Sequence, residues 1–371
     1  MVRHTPVRTY WVKGNDTSSS SLWCNPNILL RTKNVGSTSS FSTSSSTSNN
    51  GDNSSSKEEE EERIIKMTDL TSEILHIQLN RPSKLNGLDM KMFHALHQTL
   101  VELQEQFKSS STKTRVIILS GKGRAFCAGL DVVSLVKDVR YLKDNVNALL
   151  ERPHDEKQLQ KEGVEAVEEE EEEEEMKVIG NLAQNVAYLW RTLPVPVIAV
   201  LHGVCYGGGM QIALGADMRY TTPTTKLSIM ESKWGLIPDM SISLTLRELV
   251  RMDVAKELTM TGRIINGVEA ERIGLVTKCC EGGEEEDAAM EEALRVAKEI
   301  VSRSPDAVAA TKKLYQDTWL SQNNHTNLKI ESELQKKLLG SWNQLAASGR
   351  NFGVNVPYVK QKDLSLKHEK E

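Results

Sequence analysis

The stretch VPVIAVLHGVCYGGGMQIALGA, residues 195–216, decides how the chain is read. Residues 195–202 form an apolar run rich in β-branched side chains, the pattern of a strand buried on both faces. Three consecutive glycines, Gly207, Gly208 and Gly209, come next, and the small and apolar side chains of residues 210–216 have helical character. A strand running through a glycine turn into a helix is an α/β connection. Glycine there lets backbone N–H groups approach a ligand closely, and a helix start favours negative charge. The same spacing also fits a tight turn packed against a helix, and spacing alone leaves both readings open.

Outward from this stretch the alternation repeats. Leu75, Ile77 and Leu79 share one face of residues 73–80, as in a strand. Residues 91–107 place Phe93, Leu96, Leu100 and Leu103 at helical spacing, and residues 115–120 read as a second buried strand. From residue 284 the chain reads almost entirely helical. Ser304-Pro305 makes a good helix start, with the hydroxyl as N-cap and proline at the first helical position. The fold class expected is α/β. A folded core spans residues 63–283 and a helical C-terminal region spans 284–371.

Composition narrows the function. At 371 residues the chain suits one large domain with appendages. No apolar run reaches the length of a membrane span, and a net charge of −5 gives no basic footprint for nucleic acid. Five cysteines without a C-x-x-C pair predict free, mostly buried thiols. Residues 1–62 read as a disordered N-terminal region. Its first 36 residues carry Arg3, Arg8, Lys13, Arg31 and Lys33 against one acid, Asp16, and residues 37–56 are almost wholly Ser, Thr, Asn and Gly. This suits an organelle transit peptide, with the mitochondrion as destination; an ordinary tail is the alternative. Glu-rich tracts at 58–62 and 168–175 repel themselves and stay solvated. The second lies in an acidic low-complexity insertion, about 145–176. A loop tolerates such length because closure entropy grows slowly.

Common catalytic signatures are missing. There is no phosphate loop, dinucleotide fingerprint, G-x-S-x-G elbow or H-E-x-x-H helix. The eight histidines show no metal-ligand spacing, so neither a metal nor a redox cofactor is expected. His202 reads as a satisfied core side chain. Beside the glycine triplet, the segment 125–131 follows a strand and turn, and the two loops together can form an oxyanion hole for a thioester carbonyl. A third segment, 227–239, carries Glu231 and Asp239 on either side of a Gly235–Pro238 turn signal. Folded back, the two carboxylates face one cavity, where apolar surroundings raise their pKa toward values useful for proton transfer. A solvated acidic pair is the alternative. For Asp239 so is a helix cap, since residues 240–249 have helical character.

Taken in order, these segments resemble the crotonase (enoyl-CoA hydratase/isomerase) superfamily. Residues 80–88 look like its N-R-P-x-x-x-N-x-L motif, and residues 125–131 like its A-F-x-A-G-x-D motif. Residues 202–217 look like its glycine turn and helix. Thr261-Gly262-Arg263, Ala270 and Gly274-Leu275-Val276 match its T-G-R…A…G-L-V pattern. The resemblance covers about residues 73–310. It implies a spiral of ββα units with a helical C-terminal region that packs in homotrimers or homohexamers. It also implies an acyl-CoA substrate whose carbonyl takes the N–H groups of Ala128 and Gly208. Lys84, Leu85, Gly129, Leu130, Asp131 and Gly207 would line the substrate. Family hydratases use two glutamates; Glu231 matches the second, but Gln211 stands at the first. Asp239 looks like the aspartate of Δ3,5-Δ2,4-dienoyl-CoA isomerases, a subgroup of fatty-acid β-oxidation, with Glu231 and Asp239 as its acid/base pair; that subgroup also carries an aspartate where Gln211 stands, so two of its three carboxylates match. The alternatives are an enoyl-CoA hydratase or Δ3,Δ2-enoyl-CoA isomerase using Glu231 alone, or a non-catalytic acyl-CoA-binding protein.

Overall fold

The computed structural model describes residues 62–69, 72–132, 134, 139–151, 180–281 and 287–366. The transit-peptide reading of the N-terminal region lies outside them, as do residues 152–176 of the acidic insertion. The strands are β1 (Ile64–Thr68), β2 (Ile74–Leu79), β3 (Val116–Gly121), β4 (Val197–Leu201), β5 (Val204–Tyr206), β6 (Met218–Thr221), β7 (Lys226–Ser228) and β8 (Lys278–Cys279). One sheet has the order β1-β2-β3-β4-β6-β8; a second pairs β5 with β7. The β1–β2 pair is antiparallel and every other pair is parallel. The helices are α1 (Met90–Lys108), α2 (Val139–Leu150), α3 (Leu182–Thr192), α4 (Gly208–Leu214), α5 (Ile242–Thr245), α6 (Met252–Thr261), α7 (Gly267–Arg272), α8 (Asp287–Val301), α9 (Pro305–Thr318), α10 (Asn324–Leu338) and α11 (Trp342–Asn351).

The period-two alternation of a strand splits the large sheet into two apolar faces. Leu75, Ile77, Leu79, Ile117, Leu119, Val197, Ala199 and Leu201 point to the face covered by α1, α3 and α4. On α1, Phe93, Leu96, Leu100 and Leu103 are buried there, each contributing about 1.5–3 kcal/mol. Asp89 caps that helix by accepting the Met92 N–H at 2.8 Å. Ile74, Val116, Ile118, Ile198, Val200 and Tyr220 point the other way, onto α8. Its Ala289, Ala293 and Ala297 recur every fourth residue, and their small side chains let the helix lie close to the sheet. Leu294, Ile300 and Val301 pack on the same face. They therefore meet this chain's own sheet.

The spiral arises where the chain leaves one sheet for the other. The apolar run 195–202 is not one strand: β4 ends at Leu201, and β5 begins at Val204 in the second sheet. Gly203 makes the step with φ 59°, and a Cβ there would fall 1.8 Å from the Arg124 carbonyl oxygen, so only glycine fits. After α4 the chain returns through β6 to the first sheet and through β7 to the second.

Two boundaries differ from expectation. Residues 145–150, assigned to the acidic insertion, are the end of α2: Leu149 is buried, and the Leu150 carbonyl accepts the Asn181 side chain. The C-terminal region is helical only to Asn351. Residues 353–366 run without helix, because Asn343 and Asp306 side chains take the Val359 and Lys362 N–H groups at 2.9 and 2.7 Å. The expected start of α9 is present, with Ser304 accepting the Ala307 N–H and Pro305 at the first position. The buried Lys312 of α9 donates to the Trp190 and Val195 carbonyls and to Asp217, tying the helix to the core. Cys127, Cys205, Cys279 and Cys280 are free and buried. Among the described residues, no helix is long and apolar enough to cross a membrane.

Candidate active site

Three loops meet beside α4. The first, residues 81–88, is organised by Asn86, a fully buried side chain. Its oxygen accepts the Arg81 N–H at 2.8 Å, and its amide donates to the Ala125 and Lys122 carbonyls at 2.8 and 3.0 Å. These bonds pin the loop to the second one, 125–131. Leu88 N–H donates to the Gly129 carbonyl and Asp131 N–H to the Leu88 carbonyl, closing the same seam. The third loop, 203–209, joins through Cys127 N–H to the Val204 carbonyl and Tyr206 N–H to the Cys127 carbonyl. Gly129, at φ 87°, lies so near that a Cβ would sit 2.7 Å from the Tyr206 oxygen and 3.5 Å from the Gly208 nitrogen. The structure thus brings together the two glycine loops that the sequence offered as an oxyanion hole.

The two expected backbone donors are not equivalent. Gly208 opens α4, and its N–H has no backbone acceptor among the described residues. Ala128 N–H donates to the Leu85 carbonyl at 2.9 Å. Leu85 and Asn86 both hold left-handed backbone, φ 49° and 55°, which is uncommon for leucine. Asp131, expected to line the substrate, is bound inside the protein by Arg81 at 2.8 Å and by the Ser134 hydroxyl at 2.6 Å. Burial works to raise its carboxyl, but these hydrogen bonds outweigh it and hold the group below the ordinary value. Arg81 also donates to the Gly87 carbonyl. Asp131 therefore shapes the first loop. Lys84 and Leu130 are exposed.

The carboxylates come from the segment after β7. Glu231 opens a 3-10 turn, Glu231–Trp234, which ends at Gly235 with φ 71°. A Cβ on Gly207 would lie 3.3 Å from Glu231 Oε1, which places this carboxylate against the glycine triplet. Gln211, 1% exposed, donates to Glu231 Oε1 at 2.7 Å. Its own oxygen accepts the Met240 N–H at 2.8 Å. Glu231 Oε2 is buried with no hydrogen-bond partner among the described residues. Burial pushes the Glu231 carboxyl up, the Gln211 bond pulls against it, and the charge of Asp239 raises it further. Asp239 is exposed to solvent, yet the protein on its other side partly desolvates its carboxyl and raises it. Asp239 caps no helix. The expected helix over 240–249 is a single turn, α5, followed by a 3-10 turn, Leu246–Glu248, and the residue at its cap position is Ser241.

A scan against family models matches residues 74–348 to enoyl-CoA hydratase/isomerase. The chain belongs to the enoyl-CoA hydratase/isomerase family. A peroxisomal Δ3,5-Δ2,4-dienoyl-CoA isomerase of Arabidopsis thaliana is 30% identical over 249 residues, 67% of this chain and 78% of that one. The human mitochondrial enoyl-CoA hydratase domain-containing protein 2 is 30% identical over 240 residues, 64% and 69% of the two chains. The solved enoyl-CoA hydratase of Bacillus anthracis superposes with a TM-score of 0.64 at 24% identity, covering 81% of this chain and all of that one. This crotonase-family enzyme thus has the spiral fold expected of it. Sequence reading named Glu231, Asp239 and the glycine loops but assigned no part to Gln211, Met240 N–H or the Leu85 carbonyl. For Gln211 the signal was present, an amide where a carboxylate was awaited; backbone groups leave no such trace. His202, as expected, is a satisfied core residue, its Nε2–H donating to the Gly123 carbonyl at 2.8 Å.

Proposed function

We propose that this enzyme isomerises a Δ3,5-dienoyl-CoA to the Δ2,4-dienoyl-CoA in fatty-acid β-oxidation. The observation that carries this reading is the carboxylate set. Burial raises the carboxyls of Glu231 and Asp239, and the charge of Asp239 raises Glu231 further, whereas the position of a hydratase's first glutamate holds the amide of Gln211. Shifting two double bonds together removes a proton from C2 and returns one to C6. Two carboxylates at separate points along the acyl chain suit that exchange. Atoms and electrons balance within the substrate, so the reaction needs no redox cofactor.

The thioester oxygen binds the Gly208 N–H and takes the Ala128 N–H in place of the Leu85 carbonyl. Charge that develops on the oxygen as the C2 proton leaves is then met by preorganised donors. Glu231 and Asp239 flank the acyl chain, one as base and the other as acid. Lys84, Leu85, Gly129, Leu130 and Gly207 border the acyl-CoA. The Arabidopsis relative named a dienoyl-CoA isomerase supports this reading. Hydration of 2-enoyl-CoA, or Δ3,Δ2 isomerisation by Glu231 alone, is the competing reading. Spectroscopic turnover of 3,5-dienoyl-CoA beside hydration of 2-enoyl-CoA decides between them, and hydration as the faster reaction would sink the isomerase reading.

We place the enzyme in mitochondria on the basic, Ser-rich start of its sequence and on the name of the human relative. A fluorescent fusion of residues 1–62 that fails to enter mitochondria would overturn this. We assign a homotrimer or homohexamer, supported by the exposed Tyr315, Trp319, Leu328, Trp342 and Leu345 on α9 to α11. A monomer mass by light scattering across dilution would refute it.

A further inference from the structure

We propose that a cleft between the end of α8 and the end of α11 is a second ligand site, one that binds a phosphate group, free or carried on a small organic molecule. The cleft has a volume of about 440 Å³, within the range of small-molecule pockets. Two cations, Arg303 and Arg350, line it, and no acidic side chain does. Ser304, Asn351 and Asn355 add neutral polar groups, and Val354 gives an apolar patch. Ser304 Oγ accepts the Ala307 N–H and keeps its own hydrogen to donate.

The positive charge is held in place by the fold. Tyr358 is anchored by its hydroxyl, which donates to the Ser302 carbonyl at 3.3 Å. Its ring packs against two guanidiniums, that of Arg350 at 4.1 Å from the ring centroid and that of Arg115 at 5.5 Å. Arg350 Nε donates to the Val356 carbonyl at 2.7 Å, and its terminal nitrogens have no hydrogen bond to the described residues. Arg115 is matched by Glu73 at 3.5 Å and donates to the Arg303 carbonyl at 2.6 Å. Arg303 has an exposed contact with Glu299 at 3.6 Å, which offsets little of its charge. Arg350 has no carboxylate partner among the described residues. Burial lowers the Arg115 pKa, Glu73 opposes this, and the charge of Arg350 lowers it further, so the two guanidiniums repel where they share the ring. A bound anion would relieve that repulsion. A fixed guanidinium fork matches the oxygens of a phosphate with two parallel hydrogen bonds. The cleft is not the active site. Arg115 lies just before β3 and the 125–131 loop after it, and the six residues of β3 hold the two ends on the order of 17 Å apart. The inference does not depend on which acyl-CoA reaction the enzyme runs.

The test measures binding of phenyl phosphate and of inorganic phosphate to the full chain by calorimetry, with phenol as the neutral control. Both anions should bind at millimolar concentration and low ionic strength, phenol should not, and added salt should weaken the binding. Tighter binding of phenyl phosphate would mark the ligand as a phosphate ester, and equal binding would mark it as the free ion. Arg350→Met removes the fork, and Asn355→Asp sets a carboxylate in the cleft. Each should weaken binding roughly tenfold or more. Arg303→Met should weaken it to a smaller extent. Arg303 and Asn355 are exposed, so their variants decide the matter if Arg350→Met fails to fold. A saturated acyl-CoA should not displace phenyl phosphate. Three results would each overturn the proposal: no anion binding to the parent, parent-like binding in folded Asn355→Asp, or displacement of phenyl phosphate by acyl-CoA.

Discussion

Replacing Glu231 by glutamine removes the proposed proton acceptor and little else. The amide has the shape of the carboxylate, and its oxygen can still accept the Gln211 N–H now found at 2.7 Å. An NH2 group takes the place of Oε2, where no protein partner waits among the described residues. The Gln211 oxygen is held by Met240 N–H and cannot substitute, and on the proposed mechanism Asp239 serves the other position of the acyl chain. General-base catalysis is worth about 10² to 10⁴, or roughly 2.7–5.4 kcal/mol of barrier. With no substitute base, the loss in kcat should lie in the upper half of that range, near a thousandfold or more. Substrate affinity should hardly change, since the backbone N–H groups of the glycine loops are untouched. The assay is the ultraviolet change as the conjugated 2,4-dienoyl thioester forms, with calorimetric binding of a saturated acyl-CoA as control. Near-parent kcat in a folded Glu231→Gln variant would refute the role given to Glu231.

The same substitution makes a stability prediction with a definite sign. Burial raises the folded-state pKa of Glu231 above its ordinary 4.5. The folded protein therefore holds this proton more tightly than the unfolded chain. That contribution is fully present below the unfolded value and is lost as pH rises through the folded one. Parent stability should fall relative to Glu231→Gln as pH climbs from about 4.5 toward neutrality. A difference in melting temperature that stays flat over this window would contradict a raised Glu231 pKa.

Asp239→Asn should abolish dienoyl isomerisation, by a hundredfold or so in kcat, without loss of melting temperature, because Asp239 caps no helix. Parent-rate isomerisation by that variant would return the enzyme to a single-base mechanism. Lys312→Met removes the donor to Trp190, Val195 and Asp217 and leaves Asp217 without its cation; denaturant unfolding should show a loss of about 3–5 kcal/mol, and a loss below 1 kcal/mol would contradict it. Excising residues 152–175 should leave turnover largely unchanged, whereas excising 145–175 also removes the buried Leu149 and the Leu150–Asn181 bond and should lower thermal stability. Equal melting temperatures for the two deletions would show that the end of α2 contributes nothing.

Much of the architecture was legible in side-chain periodicity. Alternation in β2, the 3.6-residue spacing of Phe93, Leu96, Leu100 and Leu103, and the fully apolar β3 follow from which face each residue must bury, and that is local information. Glu231, Asp239 and the glycine loops stood out in the sequence because their residue types and order resemble the family's motifs. What sequence could not supply were contacts between distant segments. An apolar run reads the same whether it is one strand or two, and the break at Gly203 exists because the Arg124 carbonyl occupies the place of a side chain. Leu294, Ile300 and Val301 signalled only that something must cover them; the sheet turned out to be that cover. The acid at 239 could be a helix cap until α5 was seen to start at Ile242. Gln211 looked like a missing carboxylate until Met240 N–H fixed which way its amide points. Local pattern sets which atoms need partners, and only the folded chain, where segments far apart in sequence meet within hydrogen-bond distance, decides which partner each atom gets.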